Sequence, residues 1–165
     1  MTISDIKARL ITEFARINTS NIPSVDDGGG FFLTTVPAAF VIPYWVSFEK
    51  VPGLPCIMVC SGKRKYTPKN VDLKAMEITA TFEIHGRVSS YTGMTGGEIN
   101  AEIACDQLIN DCIRVARSLF TSDIAASPRF KIVPGPIETM PLRADENRYG
   151  FMFSLNFATF PLDVI

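Results

Sequence analysis

The stretch from Leu54 to Val88 constrains the fold more than any other part of this chain. It reads LPCIMVCSG, then KRKYTPKNVDLKA, then MEITATFEIHGRV. The first piece is apolar at nearly every position, as a strand buried on both faces requires. The second is a basic turn containing Pro68 and Asn70. The third alternates: Ile78, Ala80, Phe82 and Ile84 point one way, and Glu77, Thr79, Thr81, Glu83, His85 and Arg87 the other. Strand side chains repeat every two residues, so this segment is a strand with one apolar and one wet face. A hairpin with a long charged tip, set between two helices, is a plan suited to assembly rather than chemistry.

The rest of the chain supplies what such a hairpin packs against. Residues 2–17 carry Ile3, Ile6, Leu10, Phe14 and Ile17 at helical spacing, and Thr2 with Asp5 matches a capping box. A loop follows from Asn18 to Gly30. Residues 31–50 are apolar but broken by Pro37 and Pro43, which predicts one strand near Tyr44 to Phe48 and a further short piece near Phe31 to Thr35. Val51 to Pro55 is a tight connection, and Ser89 to Gly97 a glycine-rich loop.

A second helix is predicted from about Glu98 to Phe120. Its stripe is Ala101, Cys105, Leu108, Cys112, Val115 and Leu119, with Glu98 and Glu102 near the start and Arg114 and Arg117 near the end to complement the dipole. After a loop from Thr121 to Arg129, Phe130 to Leu142 reads as irregular edge structure and Arg143 to Asn147 as a polar turn. The final strand runs from about Arg148 to Phe160. Tyr149, Phe151, Phe153, Leu155 and Phe157 form its core face, and Gly150, Met152, Ser154, Asn156 and Ala158 the other. The order helix, strands, helix, strands predicts a single α+β domain over residues 1–165. It is a mainly antiparallel sheet of about four to five strands with two helices packed on it.

Composition adds a surplus. Hydrophobic residues make up 47% of the 165 and charged residues 20%, and mean hydropathy is +0.19. A domain of this size does not bury so much internally, so surface buried against other chains is expected. A net charge of −1 argues against general electrostatic binding to nucleic acid. No segment approaches the roughly 20 apolar residues of a bilayer span. Asp5, Lys7, Arg9 and Glu13 do not fit a secretory signal. Cys56 and Cys60 share a strand face about 13 Å apart, and Cys105 and Cys112 share a helix about 10.5 Å apart. Neither pair is spaced for a shared zinc or a local disulfide. Buried reduced thiols of a cytosolic product are expected.

No set of residues assembles into chemistry. Gly62–Lys63 follows a strand as a P-loop would, but Ile57 and Arg64 stand where that motif needs a glycine and a hydroxyl. GMTGGE at 93–98 precedes a helix and reads either as backbone donors to an anion or as an ordinary glycine turn, with Glu98 opposing an anion. His85, the single histidine, lies between Glu83 and Arg87, with neither nucleophile nor orienting acid placed beside it. It reads as solvated or at an interface. Glu98, Glu102, Asp106 and Asp111 fit a metal or a solvated helix rim. Lys63, Arg64, Lys65 and Lys69 read as a solvated hairpin tip or as a contact with an acidic partner surface or passing DNA. The candidate protein-contact residues are therefore Lys63, Arg64, Lys65, Lys69, Glu83, His85 and Arg87. No catalytic, cofactor-binding or metal residue is assigned.

The order of parts resembles the tail-terminator proteins of long-tailed bacteriophages, also called tail completion or minor tail proteins. The matching parts are the N-terminal amphipathic helix, the short strand LPCIMVCSG, the charged hairpin tip and the alternating strand MEITATFEIHGRV. Then come the long helix EINAEIACDQLINDCIRVARSLF, a polar turn and the closing strand RYGFMFSLNFATF. The pattern covers nearly the whole chain; the apolar insert FFLTTVPAAFVIP departs from it and has no assigned role. The resemblance implies no enzyme and no cofactor. It implies a virion protein of the tail or neck, assembled in the bacterial host cytoplasm. It would form a ring, usually a hexamer, of itself that caps the tail tube protein, stops tube polymerisation and joins a neck or head-completion protein. DNA passes only in transit through the lumen, and no membrane is involved. The alternatives are another neck or tail structural subunit, such as a head-completion or tube protein, and a small-molecule binding module or enzyme.

Overall fold

A computed structural model describes residues 3–68, 76–92, 97–120, 130–132, 137–145 and 147–159. The N-terminal helix α1 spans Ile3–Phe14 and buries Ile6, Leu10 and Phe14. Ile17, one turn further, continues the stripe because its N–H still reaches the Phe14 carbonyl at 3.1 Å. The capping box at Thr2 falls outside the described residues. The second helix, α2, spans Ala101–Phe120. It starts later than the acidic run at Glu98 predicts, because Asn100 is the cap: its Oδ1 accepts the Ile103 N–H at 2.9 Å. Its predicted stripe from Ala101 to Leu119 is buried throughout.

Among the described residues six strands form one mixed sheet. They are β1 (Val41–Ile42), β2 (Cys56–Pro68), β3 (Met76–Ser89), β6 (Phe130–Ile132), β7 (Met140–Asp145) and β8 (Arg148–Thr159). Two further two-residue strands, β4 (Tyr91–Thr92) and β5 (Glu98–Ile99), pair with each other. Glu98 therefore belongs to a small hairpin and not to the helix. The sheet order is β1-β2-β3-β8-β6, with β7 also on β8. Only β1 runs parallel to its neighbour. The fold is the expected α+β arrangement with a mostly antiparallel sheet and two helices.

Both helices lie on one face, where they close over Ile57, Val59, Ala80, Phe82, Ile84, Phe151, Phe153, Leu155 and Phe157. The alternation read in β3 and β8 is the observed one. Phe82 and Phe157 meet edge to face at 5.7 Å between ring centroids. Gly86 is required here, since a Cβ at that position would lie 2.1 Å from the Phe151 ring.

The segment before β2 departs from its predicted form. Tyr44 to Phe48 is not a strand. Pro43 has no N–H to donate, and the Val46 N–H goes to Met58 Sδ at 3.3 Å instead of to a ladder. The chain thus crosses the sheet rather than running along it. Phe31 to Val36 does alternate between exposed and buried residues, but its amides bond to Asn21, Asp111 and Ile17 and not to a strand. The apolar insert gains a role. Phe32 and Val36 join the helix-side core, β1 passes the edge of β2, and Ile42, Val46, Val51 and Leu54 cover Cys56, Met58 and Cys60 on the other face. This wrap is why β2 needs apolar residues at consecutive positions. Arg143 to Asp145, predicted as turn, continue the edge strand β7.

Candidate functional site

The predicted contact residues lie along β2 and β3. Strand β2 continues through Pro68, so Lys63, Arg64 and Lys65 sit on a strand rather than in a turn. Lys69 lies outside the described residues. A bulge between Ser61 and Arg64 places Gly62 and Lys63 opposite one residue of β3. Beyond it, Arg64 and Tyr66 stand opposite Ala80 and Ile78 on the helix side, and Lys65 stands opposite Thr79 on the other face. The basic cluster is thus divided between two faces and is not one patch.

Glu83, His85 and Arg87 share the face away from the helices, in register with Cys60, Met58 and Cys56 on β2 and with Ser154, Met152 and Gly150 on β8. His85 Nε2 meets Glu83 Oε2 at 3.3 Å. Arg87 bends over Gly150, where a Cβ would come within 3.0 Å of its Nη1. Its guanidinium lies 5.5 Å from the Phe48 ring centroid, and Arg148 approaches the same ring at 4.7 Å. Arg148 is neutralised by Asp145. Arg87 donates to the Gly86 carbonyl at 3.3 Å, and its buried Nε has no partner among the described residues. Burial lowers its pKa. Beside this pair stand Met140 and Leu142 of β7, opposite Met152 and Gly150, and the segment that carries Phe48 also carries Tyr44 and Trp45. Each of these four is more than half exposed.

A second structured surface was not anticipated. The loop before Phe31 is clamped to α2 by three charged groups. Arg114 donates from Nε and Nη2 to the two oxygens of Asp27, each at 2.9 Å, and to the carbonyls of Gly30 and Phe31. The Arg114 guanidinium holds the Asp27 carboxyl well below the usual carboxylate range. Asp111, completely buried, accepts the N–H groups of Leu33 and Thr34 at 2.9 and 2.8 Å. Burial raises its pKa, and those two donors oppose the rise. Ser118 Oγ accepts the Val25 N–H at 2.9 Å. Gly28 and Gly30 take φ of +75° and +73°, which the tight path demands. Phe31 and Leu33 are left pointing outward, 63% and 51% exposed.

The rim reading of the helix acids holds for the exposed Glu102 and Asp106 but not for Asp111. A signal for the clamp existed: Asp111, Arg114 and Ser118 form a polar line at helical spacing beside the apolar stripe. Among the described residues no three His, Cys, Asp or Glu side chains gather to hold a metal. All four thiols are free and buried, and burial pushes Cys56 and Cys105 up to about 11. No helix of the described residues is long and apolar enough to cross a membrane. The chain matches no protein-family model and no curated protein.

Proposed function

We propose that this protein is a structural subunit of a bacteriophage tail, a terminator that forms a ring on the end of the tail tube, halts tube growth and offers the joining surface for the neck. The observation that carries this reading is the division of exposed apolar side chains between two separate surfaces of one domain. Phe31 and Leu33 stand on the helical layer, Met140 and Leu142 stand opposite Met152 and Gly150 on the other side of the sheet, and Tyr44 and Trp45 are exposed in the segment whose Val46 packs on that side. A head-to-tail interface needs two different patches on each copy, and it closes into a ring when the rotation permits. The edge of β2 away from β3 has no strand partner along its distal half among the described residues, since β1 reaches only Ile57 and Met58. An open, basic edge of this kind suits docking to another chain. The resemblance noted in the sequence rests on this same order of elements, long hairpin included.

Imaging purified protein mixed with tail tubes tests the proposal. Rings seated at tube ends are expected. Binding along the sides of tubes, or no binding, contradicts it.

A further inference from the structure

The two apolar surfaces differ in charge as well as position. The helix-side surface presents Phe31 and Leu33 on the loop that also carries Asp26, an exposed carboxylate that accepts the Gly28 N–H at 2.9 Å and acts electrostatically on Arg114. The sheet-side surface presents Leu142, which stands opposite Gly150 as Arg87 does from the other side, Phe48 beneath the Arg87 guanidinium, and Trp45, exposed in the same segment as Phe48. Tryptophan, tyrosine, arginine and methionine are the residue types that dominate interface cores. Here the single tryptophan of the chain is 57% exposed. Arg87 is a half-buried cation with no carboxylate bonded to it among the described residues: Asp145 holds Arg148, and Glu83 meets His85. Gly150 leaves the space in which it lies. The Asp27–Arg114–Asp111 clamp fixes the opposite surface before any partner arrives, so docking orders little additional chain.

We propose that the partner of the sheet-side surface is the Phe31–Leu33 loop of a second copy of this chain. Phe31 and Leu33 cover Trp45, Phe48 and Leu142, and Asp26 supplies the counter-charge for Arg87. This rests on the ring reading and names its subunit contact. Because the two surfaces belong to different sides of the domain, the contact is heterologous and propagates from copy to copy.

Two variants at exposed positions test it. One is Phe31→Ser with Leu33→Ser; the other is Trp45→Ser with Leu142→Ser. Unchanged melting temperature checks that each is folded. Analytical ultracentrifugation of the wild-type protein should show concentration-dependent self-association, and each variant alone should remain monomeric. An equimolar mixture should form a one-to-one dimer and stop there, since each dimer retains one intact contact and no second. Adding Asp26→Lys to the copy that supplies the loop should weaken this dimer about tenfold. Self-association of either variant at the wild-type level, or a mixture that stays monomeric, overturns the proposed contact and leaves the tube-end result standing. A strictly monomeric wild-type protein also overturns it, while the tube-end experiment decides the terminator reading separately.

Discussion

The two faces of the central sheet are finished in different ways. The helix side is a dry core: Phe151 and Phe153 on β8 and Phe82 and Ile84 on β3 meet the stripes of α1 and α2. The other side is covered by the segment from Phe40 to Leu54, which packs over β2 and reaches Arg87 of β3 and Arg148 of β8 through Phe48. Over β3 and β8 it carries Glu83, His85, Arg87, Ser154 and Asn156, with Met140 and Leu142 at the edge. One face therefore supplies stability, and the other is available for contacts. Ten large apolar residues remain exposed among those described, on both sides of the sheet.

The largest effect should come from the dry face. Phe153→Ala is expected to destabilise by about 3–5 kcal/mol, as for other fully buried phenylalanines. Asn156→Ala, between the core residues Leu155 and Phe157 but on the open face, removes an exposed bond from Thr81 Oγ1 and should cost less than about 1 kcal/mol. Equal losses in chemical denaturation would abolish the distinction between the faces.

The loop clamp should come next. Asp111→Ala leaves two N–H groups without their acceptor and is expected to cost about 2–3 kcal/mol; Asp111→Asn keeps an acceptor and should cost less. The pH dependence separates the two acids. The folded-state pKa of Asp27 is depressed, so its stabilisation is present above its unfolded value of about 4 and is lost as pH falls below it. Asp27→Asn should thus be weakened at pH 7 and approach the wild-type protein in acid. The pKa of Asp111 is raised by burial, so its contribution falls as pH rises past about 4. The gap between Asp111→Asn and wild type should move in the variant's favour as pH increases. Urea titrations from pH 3 to pH 7 measure both.

Smaller effects on stability are expected at the hairpin and the thiols. Arg64→Glu with Lys65→Glu should leave melting within about 0.5 kcal/mol of wild type, since both side chains are exposed. The variant should nevertheless complete tails poorly, most visibly at low salt, where charge governs association. Normal completion would remove this edge from the docking surface. Thiol reagents and chelators should leave native melting unchanged, because Cys56, Cys60, Cys105 and Cys112 are buried as thiols.

Regular periodicity decided what could be read from sequence alone. The two-residue alternation of Ile78 to Ile84 and of Phe151 to Phe157, and the stripe from Ala101 to Leu119, are local signals, and their registers are the observed ones. The consecutive apolar run at Cys56 to Cys60 likewise announced burial on both sides. Strand β7 is legible only as irregular edge structure up to Leu142, and its continuation from Arg143 to Asp145 reads as turn, because it is exposed along its whole length and contains Pro141, so it has no burial period. Strand β1 is two residues long, and Tyr44 and Trp45 looked like a strand because they are apolar, although they cross the sheet at its surface. The contact surfaces were less legible still. Glu83, His85 and Arg87 were placed on one face correctly, but Phe48 reaches Arg87 and Asp27 reaches Arg114 only through the fold. The bulge at Gly62 and Lys63 redistributed a basic cluster that looked contiguous in the chain.

The proposed role is to stop tail-tube growth and join the tube to the neck. The direct test is to measure tail length and head attachment by electron microscopy in lysates from which this protein alone has been removed. Tubes should still assemble, but tails should overrun their normal length or remain without heads, and supplying the wild-type protein should restore both. Tails of normal length joined to heads in its absence would contradict the account.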